Sequence, residues 1–129
     1  MAHYDVLVDS SVWIHYFKSG GMPELDQLIN EGLACINELI FTELAPVLVK
    51  NQETEVLDGL QALPFLPLNI DWQIIRRYQL INLKNGINKV GIPDLIIIQQ
   101  VIEEKVTLYS LDKHFHLMQE HLSFELIDL

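Results

Sequence analysis

The sequence predicts an α/β fold, a central and mainly parallel β-sheet sandwiched between helices. Two observations predict it. Short runs rich in valine, leucine and other apolar residues alternate with longer segments whose apolar residues recur at helical spacing. Several of the longer segments also carry helix punctuation, such as proline at the start or glycine just past the end. This alternation implies strands buried on both faces beneath two layers of helices.

Residues 4–8, "YDVLV", read as a buried strand, and a helix follows through "SVWIHYFK", stopping before Gly20 and Gly21. "MPELDQLINEG" is a second helix, with Pro23 at its start, Leu25, Leu28 and Ile29 at helical spacing and Gly32 just past its end. "LACI", 33–36, is a strand. Asn37 then caps a helix through "ELIFTELAPVLVK", where Pro46 either kinks the helix or sits where its missing N–H is dispensable. "ETEVLDGLQALP" is helical, and "FLPL", 65–68, is a short strand that its proline confines to an edge or an end. Asp71 opens a longer helix through Leu83. After the turn "KNGINKVG", the helix "IPDLIIIQQVIEEK" has proline and an acid in its first turn and a lysine in its last, as the helix dipole favours. "VTLYS", 106–110, is a strand, "LDKHFHLMQEH" a short helix and "FELIDL" a terminal strand.

With 129 residues, half of them hydrophobic, the chain fits a single domain spanning 1–129, and it contains no repeat, low-complexity tract or linker. Its one cysteine, Cys35, lies in the apolar stretch "LACIN" and reads as a small buried hydrophobe. A disulfide-free, cytoplasmic protein is expected. No run approaches the ~18 apolar residues of a membrane helix, and "MAHYDVLVD" lacks the basic region and apolar core of a signal peptide. Eight basic against 18 acidic residues give a net charge of −10, which argues against a general electrostatic grip on nucleic acid or anionic membrane. Half of the positive charge is nevertheless concentrated in Arg76, Arg77, Lys84 and Lys89, a stretch free of acids. Lys84 and Lys89 are candidates to contact phosphate groups beside Asp94, and an ordinary solvated helix face explains the same charges.

Four acids sit next to apolar segments. Asp9 and Asp112 each follow a strand, and if those strands are parallel neighbours their carboxylates converge at one edge of the sheet, where α/β folds place their chemistry. Each acid could equally cap the helix that follows it. Glu43 falls four after Leu39, three after Ile40 and four before Val47, on the apolar stripe, so it points towards the core or its margin. A carboxylate there is costly unless paired, hydrogen-bonded or bound to metal. Asp94 lies in a helix's first turn, where the dipole alone would justify an acid. Brought together, the four would repel one another unless a divalent cation compensated them. Mg²⁺ prefers oxygen ligands, and a pair of such ions activates water and stabilises the leaving oxygen of a phosphodiester. Ser10, Ser11 and Ser110 add hydroxyls nearby.

The succession "VDSSVWI", "TELA", "GIPDLIIIQ" and "YSLDKHF" resembles the PIN domain family, in particular the VapC toxins of bacterial toxin–antitoxin pairs, over nearly the whole chain. The resemblance implies a three-layer α/β/α sandwich and a Mg²⁺- or Mn²⁺-dependent endoribonuclease. Matched position by position, it implies that Asp9, Glu43, Asp94 and Asp112 bind metal and carry catalysis. Ser11 matches the small polar residue near the first acid and Ser110 the hydroxyl residue before the last. His114 stands where many relatives carry a further acid. The resemblance further implies an RNA target such as tRNA or rRNA, a VapB-like antitoxin that covers the site, and homodimerisation.

Other readings are weaker. A haloacid-dehalogenase-like phosphatase needs a second aspartate two residues after the first, which "DSSVW" lacks, and a receiver domain wants adjacent acids near its start. A binding module that has lost catalysis would not need all four acids, while an rRNA-processing nuclease would need no antitoxin. Trp13, Phe17 and Phe115 are better explained by packing than by base stacking, and His116 by an exposed helix face.

Overall fold

A computed structural model describes residues 5–127. Its strands are short and apolar: β1 (Val6–Val8), β2 (Ala34–Cys35), β3 (Thr107–Tyr109) and β4 (Leu126–Ile127). They form one parallel sheet in the order β2-β1-β3-β4. β1 therefore lies in the middle, with Leu7 opposite Cys35 on one side and Leu108 on the other. Every residue of β1 is buried, as expected of a parallel strand covered on both faces.

The helices are α1 (Ser10–Ser19), α2 (Pro23–Asn30), α3 (Glu38–Lys50), α4 (Thr54–Gln61), α5 (Trp72–Lys84), α6 (Ile92–Glu104) and α7 (Lys113–Gln119). α1 ends at Gly20, whose φ of 82° is cheap only without a side chain. Asn37 caps α3 through a bond from the Ile40 N–H to Oδ1 (2.8 Å). α3 continues through Pro46, which is exposed. Trp13 and Phe115 are buried, and Phe17 stacks beside Trp13. Packing therefore occupies these rings.

α6 is the helix the core closes around. All seven residues from Leu95 to Val101 are buried, so two of them, Gln99 and Gln100, bury amides that must be satisfied. Gln100 Nε2 donates to the carbonyls of Leu66 (3.3 Å) and Pro67 (2.6 Å), and its Oε1 accepts from Asn37 Nδ2 (2.6 Å). Gln99 Nε2 donates to the Asn69 carbonyl (2.9 Å), and its Oε1 accepts from the Asp71 N–H (3.0 Å).

These bonds explain the main departure from the expected elements. "FLPL" is not a strand but a single bridge between Ile36 and Phe65. Pro67 has no N–H to give a ladder, and the carbonyls of Leu66 and Pro67 are taken by Gln100. The remaining elements appear in the expected order with trimmed ends. α4 and α7 lose their outermost predicted residues, and Lys105 is not in the last turn of α6 but caps it in a left-handed conformation. Tyr4, Asp128 and Leu129, assigned to the first and last strands, lie outside the described residues. Among those described, no helix is long and apolar enough to cross a membrane.

Candidate active site

Because Val8 pairs with Tyr109, the chain leaves β1 and β3 at the same sheet edge. Asp9 and Ser110 are therefore neighbours, and the Asp9 N–H continues the ladder by donating to the Tyr109 carbonyl (2.9 Å). Asp9 is buried at 5% exposure. It occupies the cap position of α1, yet its carboxylate accepts no backbone N–H there. Instead Oδ2 accepts from Ser11 Oγ (2.8 Å) and from Ser110 Oγ (2.9 Å). The capping explanation for Asp9 is thereby set aside.

The two serines are themselves fixed. Ser11 Oγ accepts from the Leu111 N–H (3.0 Å) and Ser110 Oγ from the Asp112 N–H (3.1 Å). Each hydroxyl has one proton to donate, so both can spend it on Asp9 while the backbone N–H groups fix their oxygens. Asp112 differs from Asp9, because it does cap its helix. Oδ1 accepts from the His114 N–H (2.9 Å) and lies 2.9 Å from His114 Nδ1.

Asp94 stands in the first turn of α6, three residues after its cap, Gly91. Its carboxyl is pushed up to about 6, first by burial and then by the charges of Asp112 and Asp9. His114 and a backbone hydrogen bond at Gly91 pull the other way. Glu43 takes the margin rather than the core. Its side chain is largely exposed, while Ile40 and Leu44 beside it are buried. The carboxyl is nonetheless raised, by desolvation and then by Asp9 and Asp94, with a hydrogen bond from Ser10 opposing.

Three helix starts and one helix flank thus put Asp94 in the fields of Asp112 and Asp9, and Glu43 in those of Asp9 and Asp94. Among the described residues, no three His, Cys, Asp or Glu side chains stand at metal-ligand spacing. The donor set is nevertheless oxygen-only and carries excess negative charge, which is the chemistry Mg²⁺ or Mn²⁺ accepts. Lys84 ends α5 and Lys89 lies in the loop before α6; both are exposed, and neither pairs with an acid among the described residues.

No curated protein sequence matches the chain. Solved structures do. The DNA-bound VapBC structure from Salmonella typhimurium superposes with a TM-score of 0.76 at 15% identity, covering 97% of this chain and 98% of that one. VapBC2 from Rickettsia felis, bound to a promoter DNA fragment, gives 0.75 at 15% identity over 96% and 98%. VapBC-1 from nontypeable Haemophilus influenzae gives 0.74 at 15% identity over 95% and 96%. At these identities the likeness is one of fold. The PIN domain family model matches residues 6–120, nearly the whole length over which the strands, helices and four acids have been described, and the chain belongs to the PIN domain family.

Proposed function

We propose that this protein is a Mg²⁺- or Mn²⁺-dependent endoribonuclease of the VapC toxin type, with Asp9, Glu43, Asp94 and Asp112 as its metal-binding and catalytic acids. PIN domains are generally nucleases. The observation that carries the reading is the mutual repulsion at this sheet edge, where Glu43 and Asp94 both feel Asp9, and Asp94 feels Asp112 as well. Such an arrangement is costly to the fold and useful for holding a cation.

The bound ion would supply charge stabilisation and a water more acidic than bulk water. The chain's own residues do the positioning. Ser11 and Ser110 hold Asp9 Oδ2, leaving Oδ1 without a hydrogen-bond partner among the described residues. His114 restrains Asp112 Oδ1. Burial and the charges of Asp112 and Asp9 oppose ionisation of Asp94 in the metal-free protein, and a bound cation would relieve that opposition. Lys84 and Lys89 supply positive charge for RNA phosphates in an otherwise acidic protein.

A VapB-like antitoxin and a second copy of the chain complete the reading as partners. A groove of about 410 Å³ opens beside Glu43, lined by Ile14, Phe17, Leu44 and Val47, and offers an apolar seat next to the acids. The test of function is cleavage of a mixed tRNA and rRNA pool with Mg²⁺ or Mn²⁺. Cleavage abolished both by EDTA and by Asp9→Asn supports the assignment. Failure of folded protein to cut RNA or to bind Mn²⁺ refutes it.

A further inference from the structure

Of the chain's two tryptophans, Trp13 is buried at 2% exposure, whereas Trp72, the first residue of α5, is exposed at 53%. The ring pairs among the described residues do not include Trp72. Its backbone is nevertheless well fixed. Asp71, the residue before it, accepts from the N–H groups of Gln73 and Ile74 and donates its own N–H to Gln99 Oε1 (3.0 Å) on α6. An indole on a capped helix end, with its ring in solvent, is already arranged for a contact and loses little freedom in making one.

The neighbours of Trp72 indicate the kind of contact. Arg76 lies beside it, because residues four apart are neighbours on a helix surface. Leu80 (51% exposed) and Leu83 (64%) continue the same outer face, and Arg77 and Lys84, both exposed, border it. None of the 13 residues of α5 is acidic. No ion pair among the described residues engages Arg76, Arg77 or Lys84. In a chain of net charge −10, this helix therefore presents a group of free cations interleaved with a bare indole and two leucines. A second copy fits poorly, since a two-fold contact through this face sets arginine against arginine with no acid between them. Single-stranded nucleic acid fits well: its phosphates meet the cations and its bases stack on the indole.

We propose that the outer face of α5 is an exosite for single-stranded RNA, resting on the nuclease reading above: an unpaired base stacks on Trp72, the adjoining phosphate meets Arg76, and the strand continues past Leu80 and Leu83 to Lys84. Lys84 stands about 18 Å along the helix from Trp72. It leads through the loop to α6, whose first turn carries Asp94. The bound strand thus runs from the platform at Trp72 towards the acids. The consequence for substrate choice is one of length. RNA with an unpaired segment long enough to span α5 gains the platform, and a fragment confined to the acids does not.

The test is tryptophan fluorescence of the metal-free protein in EDTA, titrated with a short unstructured RNA of mixed sequence. Trp72 emission is expected to quench while buried Trp13 keeps its own. Trp72→Phe, which retains a ring, should remove the quench with little loss of affinity for fluorescein-labelled RNA. Trp72→Ala should weaken binding roughly tenfold while melting as the parent does. Arg76→Gln should lower the slope of log affinity against log salt by about 0.7. No quench, or Trp72→Ala binding as tightly as the parent, overturns the inference. Quenching by polyglutamate as strong as by RNA identifies an acidic protein as the occupant, and emission that changes with protein concentration alone identifies a second copy; either overturns it. Cleavage is scored separately with Mn²⁺. If RNA is cut while Trp72 emission stays unmoved, the exosite alone is wrong. If RNA quenches Trp72 in the expected way but the metal-loaded protein cuts none, the nuclease reading falls and α5 stands as a single-strand binding face.

Discussion

Replacing Asp94 by Asn removes a negative charge that burial, Asp112 and Asp9 all oppose, and the metal-free protein should become more stable for it. Raising a carboxyl from 3.8 to about 6 corresponds to about 3 kcal/mol at ~1.36 kcal/mol per pH unit. Asp94 keeps part of its contact with solvent, and screening there halves the figure to about 1.5 kcal/mol. Asparagine also gives up an anion's interaction with the α6 dipole, about 0.5 kcal/mol. The net gain is about 1 kcal/mol at pH 7, or roughly 4 °C in Tm for a chain of this size. The sign with pH follows from the raised value. Proton binding favours the folded state, so Asp94's contribution is fully present below about pH 4 and is lost as pH rises through about 6. The assay is urea or thermal unfolding of both proteins in EDTA at pH 7 and pH 5, then with Mn²⁺ in excess. The variant should lead at pH 7, lose most of its lead at pH 5, and fall behind when the ion binds the native acids. A variant no more stable than the parent at pH 7 in EDTA, or a lead that persists unchanged at pH 5, would refute the reasoning.

Gln100→Ala should cost about 2–4 kcal/mol in urea unfolding, because it strands Asn37 Nδ2 and the carbonyls of Leu66 and Pro67 and empties a buried site; a loss under about 1 kcal/mol would mean water replaces the amide at little cost. Cys35 is fully buried and its thiol is pushed up to about 12, chiefly by burial, so an aromatic disulfide reagent at pH 8 should label it only at the rate of unfolding. Labelling that is fast in buffer and unaccelerated by urea would contradict that packing.

The order of strands and helices was legible because hydrophobic period and end signals are local properties of the chain. Asn37, Asp71 and Asp112 cap their helices through short-range bonds, as their positions suggest. Asp9 shows where local reading stops. Its surroundings look like those of Asp112, yet its carboxylate turns to Ser11 and to Ser110, a residue that only strand pairing brings near. "FLPL" misled for the same reason, since its competitor for the carbonyls, Gln100, lies more than thirty positions away. Spacing set Glu43 on a stripe with Leu39, Ile40 and Val47, but the buried face of α3 is Ile40, Leu44 and Leu48, and Glu43 and Val47 stand outside it, because the face that is covered depends on how α3 packs on its neighbours. The four acids became a coherent group through the order of the family's motifs rather than through any one of them.

The bond from Ser110 Oγ to Asp9 Oδ2 spans 101 residues. During synthesis at about 5–20 residues per second, Asp9 exists for roughly 5–20 s before the residue that restrains it is made. An emerging chain carries the first acid, then Glu43, then Asp94, without the strand that fixes the first or the Asp112 that completes the set. The setting of Asp9 at the sheet edge is thus fixed only after β3 has been made and paired with β1.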